Sequence, residues 1–246
     1  LCSIYDKDEA NAMILILFEH YFNIDRVKMA LEPDIRLSES EMLKIHFAVK
    51  DLLKNKPIQY IIGETEFCEL KFKVNENVLI PRPETSEMVK IIANSHKPSA
   101  VSKILDIGTG SGCIAISLAK AFPRSQVHAM DISEEALKVA KENAINNNVN
   151  VNFIQDDILS LKENIETKFD IIVSNPPYVR ELEKAEMRDN VLKWEPHKAL
   201  FVNDDDPLIF YRSILEFAMT HLNEDGEIWF EINEFLGKEM TELCHE

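Results

Sequence analysis

At 246 residues the chain has room for one large domain or two modest ones, and enough length to bury a core. Its 46% hydrophobic and 28% charged residues describe a globular protein rather than a disordered one, and no run approaches the roughly 18 uncharged apolar residues of a membrane span. A formal net charge of -16 counts against a protein that grips a nucleic-acid backbone, because basic surface supplies most of that affinity.

Cys2, Cys68, Cys113 and Cys244 are scattered without a CxxC pair, which suits a reduced cytoplasm and offers no zinc site. No secretory leader is read at the start; the first residue is Leu1 rather than Met, and a few residues are expected to precede it.

The first 56 or so residues predict helices. Acidic residues crowd the first turn of a helix from Asp6 to Phe22, as its dipole favours, with Ala12, Leu15, Ile16 and Phe18 expected inward. A short helix fits Asp25 to Leu31, before Pro33. Ser38-Glu39-Ser40-Glu41 is a capping box, and the helix it opens carries Met42, Leu43, Ile45, Val49, Leu52 and Leu53. From Phe67 to Ile80 the pattern alternates around Asn75-Glu76-Asn77, which predicts a β-hairpin turning there. Pro83 and Glu84 then start a helix to about Asn94.

From Lys103 strands and helices alternate. KILDI, QVHAMDI, VNFIQDDI, FDIIVS and EIWFEIN predict five strands, separated by CIAISLAKAF, SEEALKVAKENAINN and a helix around Asp206 to His221. Continuous apolar strands between helices imply a parallel sheet covered on both faces, a doubly wound α/β domain.

Three of the six glycines fall in Gly108-Thr109-Gly110-Ser111-Gly112, directly after the first of these strands. A glycine-rich turn there lets backbone approach a ligand and aims helix-start N–H groups at it. GxGxG alone is a weak signal, and a purely structural tight turn is the competing reading. Asp131 ends the next strand, where an acid can hold both ribose hydroxyls or simply cap the helix beginning at Ser133. Asp156-Asp157 end the third strand, where one acid can accept from an adenine amine and the other can be merely solvated. Asp106 would repel a pyrophosphate yet suits the ammonium of an amino acid, and no GxxxxGK[ST] loop is present. A ligand with ribose, adenine and a free amino group is S-adenosylmethionine.

In a doubly wound sheet of order 3-2-1-4-5, strands one and four meet at the switch point, so Asn175-Pro176-Pro177-Tyr178 should face the glycine loop. The prolines fix φ and extend their predecessors, which frees the Asn175 side-chain oxygen and the Pro176 carbonyl as rigid acceptors. Two such acceptors can hold a planar –NH2 group, with Tyr178 packed on its flat face. Orientation would then replace strong base chemistry for a poor amide nucleophile, with no metal required. The competing reading is a plain proline turn.

DIGTGSG followed by NPPY resembles the amino-methyltransferases that use S-adenosylmethionine. With PIQYIIGETEF, VLIPRPET (Val78 to Thr85), EPHKAL and the helical segment before them, the chain resembles the HemK/PrmC family, from about Tyr5 to Glu239. That family methylates N5 of the glutamine in the GGQ motif of peptide chain release factors. The resemblance implies a Rossmann-like class I methyltransferase domain at 83–246, a helical substrate-recognition domain at 1–65 and a β-hairpin linker at 66–82.

It further implies that Gly108 to Gly112 cradle the methionine part of S-adenosylmethionine and Asp131 its ribose. Asp157 and Ile158 would border adenine, and Asn175 to Tyr178 would bind the glutamine side chain. Arg82 and Glu84 are expected to brace the site. S-adenosylhomocysteine would be the product, the GGQ domain of a release factor the partner, and the cytoplasm the compartment. Neither direct nucleic-acid nor membrane contact is expected.

The chain departs from the family where it has Glu69 in place of a frequent glycine, and in EINEFLGKEM after the last strand, which leaves the role of Glu231 open. Folds of this kind usually end in a further strand pair, so residues beyond Glu246 are expected. Alternatives are glutamine methylation of a ribosomal protein, N6-adenine methylation of DNA, disfavoured by the charge, or a non-catalytic cofactor-binding module.

Overall fold

The computed structural model describes residues 1, 4–96, 102–162 and 165–245. Cys2, one of the scattered cysteines, lies outside them. The chain divides into two compact units, Leu1–Gly63 with Arg188–Trp194, and Glu64–Met187 with Glu195–Glu246. The hairpin read as a separate linker belongs to the larger unit, and a segment from well beyond residue 65 belongs to the smaller.

The smaller unit holds α1 (Lys7–Phe22), α2 (Arg26–Leu31), α3 (Glu39–Leu52) and a short α4 (Ile58–Ile62) that the sequence pattern did not announce. Asp6 caps α1 by accepting from the Asp8 and Glu9 amides at 2.9 Å each. The capping box forms as read: Glu41 Oε2 accepts from Ser38 N at 2.8 Å while Ser38 Oγ accepts from Glu41 N. Leu17, Ala48, Leu52 and Ile58 make the core.

The buried stripe of α1 is Ala10 and Leu17 with Met13 packed beside them, whereas Ala12 and Ile16 are exposed. Seven consecutive apolar residues, Ala12 to Phe18, offer a core on every side, so periodicity alone misplaced the inward face. On α3, Ile45 joins the core while Met42, Leu43 and Leu53 stay exposed. Trp194 closes on this unit, its indole N–H donating to Lys54 O at 3.2 Å and its ring lying under the Lys56 ammonium.

The larger unit opens with β1 (Glu64–Phe67) and β2 (Leu70–Lys73), an antiparallel hairpin. Its turn is Cys68-Glu69, at φ 48° and 63°, not Asn75–Asn77. Two successive positive φ values match the strand twist of a tight hairpin, and here non-glycine residues adopt them. The asparagines do turn the chain, since Asn77 N donates to Asn75 Oδ1 at 3.0 Å, but no strand pair flanks that bend.

After α5 (Pro83–Ser95) come β3 (Lys103–Ile107), α6 (Cys113–Ala121), β4 (Gln126–Asp131), α7 (Glu134–Asn146), β5 (Asn152–Gln155) and β6 (Phe169–Ser174). The chain then runs through β7 (Val179–Arg180), α8 (Asp189–Trp194, in the smaller unit), β8 (Phe201–Val202), α9 (Ile209–His221), β9 (Leu222–Phe230) and α10 (Gly237–Leu243). The main sheet has the order β5-β4-β3-β6-β9, parallel throughout, which is the expected 3-2-1-4-5 arrangement.

Alternation along each strand feeds two cores. Ile104, Ile171 and Val173 face α5 and α6 with Phe67, Phe72, Val89 and Ile92, while Leu105, Ile107 and Ile172 face Ile214 and Phe217 of α9. All seven residues from Cys113 to Ala119 are buried, as expected of a helix apolar on every side. The arrangement puts the carboxyl ends of β3 and β6 side by side, Ile107 opposite Ser174, where the Ser174 hydroxyl donates to Ile107 O at 2.6 Å.

Candidate active site

Two loops leave those adjacent strand ends. The first, Gly108 to Gly112, is held by its own βαβ unit. The Gly108 and Thr109 amides both donate to Met130 O at 2.9 Å, Gly110 N donates to Asp131 Oδ2 at 2.8 Å, and Gly112 N donates to Thr109 O at 2.8 Å. Gly112 takes φ 81°, and a Cβ there would meet Ile116 Cδ1 at 2.9 Å and Ala140 Cβ at 3.1 Å, so its glycine lets α6 and α7 pack. Gly110, at φ 54°, has nothing within 4 Å of a would-be Cβ, which leaves its face open to an approaching ligand.

Asp106 is fully buried beneath this loop. Its Oδ2 accepts from Thr109 Oγ1 at 2.6 Å and Ala115 N at 3.2 Å, and its Oδ1 has no partner among the described residues. Lost hydration pushes this carboxyl up to about 7, against the pull of those two hydrogen bonds. Asp131 spends one oxygen on Gly110 N and the other on Ser133 N at 2.9 Å, and burial raises its carboxyl as well. Ser133, not Asp131, is the cap of α7, accepting from Ala136 N at 3.2 Å. Each Asp131 oxygen keeps a free lone pair for a further donor.

Beyond β5, which ends at Gln155, the acid pair divides. Asp156 is buried and accepts from the Asp157 and Lys162 amides, and so shapes the loop. Asp157 is half-buried and accepts from Leu159 N at 3.0 Å, while Ile158 packs against the α9-side core.

The second loop, Asn175 to Tyr178, is anchored from far along the chain. Asn175 Nδ2 donates to Thr85 Oγ1 at 3.1 Å, and Thr85, buried in the first turn of α5, donates to Glu231 Oε2 at 2.5 Å. Tyr178 OH donates to Glu231 Oε1 at 2.9 Å, and Tyr178 O accepts from Asn233 Nδ2 at 3.1 Å. Burial, and then the Glu231 carboxylate, push the Tyr178 phenol far up, so it stays protonated and is no base. Pro176 is buried; a Cβ on Gly108 would come within 4.0 Å of Asn175 O, so the two loops adjoin as the topology required.

Arg82 Nη2 donates to Glu195 Oε1 at 2.7 Å, and Glu195 Oε2 accepts from Ile80 N at 3.2 Å, with the glutamate side chain only 1% exposed. Leu79, Arg82, Asn175, Pro176, Tyr178 and Leu200 line a small pocket here. Thr85 and Glu195 stand within VLIPRPET and EPHKAL, and their part in the site, like that of Glu231, emerges only from the fold. Thr85, Glu195 and Glu231 carry no local signal, because the partners of their side chains lie 53 residues or more away.

A doubly wound sheet with a glycine loop, an acid at the end of its second strand and an Asn-Pro-Pro-Tyr turn at the switch point defines a methyltransferase domain. The family model described as the methyltransferase small domain matches residues 86–195. A solved 16S rRNA N2 G1207 methyltransferase of T. thermophilus, in complex with AdoMet and guanosine, shares the fold at TM-score 0.50 and 17% identity, covering 72% of this chain and 43% of that one.

The particular family follows from the rest of the chain. The PrmC N-terminal domain model matches residues 5–63, the bulk of the smaller unit. The release factor glutamine methyltransferase of Flavobacterium psychrophilum is 51% identical over 246 residues, covering 99% of this chain and 86% of that protein. That of Bacteroides thetaiotaomicron is 46% identical over 243 residues, covering 99% and 87%. The chain belongs to the release factor glutamine methyltransferase family.

Proposed function

We propose that this protein transfers a methyl group from S-adenosylmethionine to N5 of the glutamine in the GGQ motif of a peptide chain release factor, in the cytoplasm. The observation that carries the reading is the Asn175 side chain, whose –NH2 donates to Thr85 Oγ1 and so leaves its Oδ1 as a rigid acceptor, in a loop whose Asn175 backbone carbonyl adjoins Gly108. A side-chain amide nitrogen offers two N–H donors and a delocalised lone pair. It needs two fixed acceptors and a direction more than it needs a base.

Asn175 Oδ1 and the Pro176 carbonyl are those acceptors, and Tyr178 packs against the amide face. As positive charge develops on the attacking nitrogen, both hydrogen bonds strengthen, so they favour the transition state over the bound substrate, and the N–H proton shed after transfer passes by way of these acceptors to water. The protonated Tyr178 takes no part as a base.

The residues present fit the methyl donor. Gly110 is open on its outer face, Asp131 keeps two lone pairs for ribose hydroxyls, and the buried Asp106 Oδ1 has no partner among the described residues. Gly108, Thr109, Gly110, Ser111 and Gly112 would hold the methionine part, with Asp106 beneath supplying negative charge toward its ammonium. Asp157 and Ile158 would border the adenine. When bound, S-adenosylmethionine supplies an electrophilic methyl on a sulfonium. The helical unit would read the release factor.

The test is a methyl-transfer assay with S-adenosylmethionine and intact release factor, with the product mapped by peptide mass spectrometry. A single methyl on the GGQ glutamine is expected. Incorporation into a ribosomal protein or DNA instead would overturn the substrate, and binding of the donor with no transfer to any of them would reduce the protein to a binding module.

A further inference from the structure

We infer that Glu231 is a positioning residue that decides which way round the Asn175 amide lies, acting through Thr85, and that it clamps Tyr178 of the same loop with its other oxygen. The inference rests on the amide-gripping role proposed for Asn175.

The two ends of an asparagine amide are nearly the same shape, so packing alone does not choose between them. Flipped, Asn175 would present N–H groups to the N–H groups of the substrate amide, donor against donor. The Thr85 hydroxyl by itself does not choose either, because it can donate or accept. A carboxylate beside it removes that freedom. Glu231 Oε2 lies 2.5 Å from Thr85 Oγ1 and can only accept, so the single hydroxyl proton of Thr85 is committed to it. Thr85 is then left with lone pairs alone, and Asn175 must turn its –NH2 toward it, at 3.1 Å, and its Oδ1 away. The direction of the chain of hydrogen bonds is set at its charged end.

Glu231 is itself well placed to impose this. Its backbone N donates to Ser174 O at 3.1 Å, immediately before Asn175, and its carbonyl accepts from the hydroxyl of the fully buried Tyr211 at 2.9 Å. Its second carboxylate oxygen takes the Tyr178 hydroxyl at 2.9 Å. One side chain therefore fixes the first and the last residue of the Asn-Pro-Pro-Tyr turn.

The experiment compares Thr85→Val, Thr85→Ser, Glu231→Ala and the wild type by steady-state kinetics, by calorimetric titration with S-adenosylmethionine, and by the side-chain amide resonances of Asn175, assigned by their loss in Asn175→Ala. Thr85→Val keeps the volume and deletes the relay; Thr85→Ser keeps the relay. We expect kcat to fall about 100-fold in Thr85→Val and Glu231→Ala, the cost of a misaimed reactant, with affinity for S-adenosylmethionine unchanged within about threefold. The Asn175 –NH2 pair should move toward the position of an exposed amide in both, and Thr85→Ser should restore rate and resonance.

Full kcat in Thr85→Val, or an unmoved amide pair, would overturn the inference, and Thr85→Val decides alone if Glu231→Ala does not fold. The two readings fail differently. If Asn175→Ala abolishes glutamine methylation while Thr85→Val does not slow it, only the role of Glu231 falls. If the wild type methylates no glutamine, the proposed function falls first.

Discussion

The two loops at the switch point reach rigidity in opposite ways. The glycine loop is soft in composition and braced locally: its acid partners Asp106 and Asp131 lie 3 and 21 residues away, within one βαβ unit. The Asn-Pro-Pro-Tyr loop is stiff in composition yet braced remotely, by Thr85, Glu231 and Asn233 at separations of 90, 53 and 55 residues. The difference matches their proposed tasks. A loop that wraps a flexible ligand needs open backbone and nearby negative charge. A loop that aims a poor nucleophile must hold one angle, and proline rigidity fixes only the backbone, so the side chains have to be clamped from outside.

That contrast can be broken most directly at Asn175. Asn175→Ala is expected to lower methyl transfer by about 1,000-fold while calorimetric affinity for S-adenosylmethionine changes less than about threefold, as for an interaction made mainly in the transition state. Equal loss of both would mean that the loops do not divide the work.

Asp131→Ala should show the converse, weakening S-adenosylmethionine binding by about 10- to 100-fold through lost hydrogen bonds to a charged group and a loosened Gly110. Unchanged affinity in a titration would return Asp131 to a turn-forming role.

Gly112→Ala must place a side chain at φ 81° against Ile116 and Ala140, and should cost more than about 1 kcal/mol in chemical denaturation. A neutral result there would show the local loop to be more tolerant than its contacts imply.

The smallest effect is one of pH. With its carboxyl at about 7 in the ligand-free protein, Asp106 is partly protonated at neutral pH, and a nearby ammonium favours the ionised form. Affinity for S-adenosylmethionine should therefore rise with pH through 7, by no more than about tenfold per unit, and level off above. Asp106→Asn should flatten this profile in calorimetric titrations across that range. A persistent slope would place the titrating group elsewhere.

Much of the molecule was legible because its signals are short. The capping box at Ser38, the strand KILDI, the glycine loop and the Pro83 helix start are set by neighbours a few residues apart, and all four formed as read. The alternation of buried strand and helix was enough for the parallel sheet and its order, and hence for the adjacency of the two loops. The hairpin turn was missed because Cys68 and Glu69 adopt positive φ without the glycine or asparagine that usually advertises it. The inward face of α1 was missed because seven apolar residues in succession carry no period.

The amino-acid sequence by itself therefore determined most of the elements, the class of fold and the two loops that meet at its switch point, since backbone conformation answers to local sterics and strand order to a few general rules of chain topology. Only the tertiary structure decided how the second loop is held. Thr85, Asn175, Tyr178 and Glu231 come from three distant stretches of chain, and the direction of a hydrogen bond depends on which acceptor lies within reach, a fact with no trace in spacing until the sheet has brought β6 and β9 together.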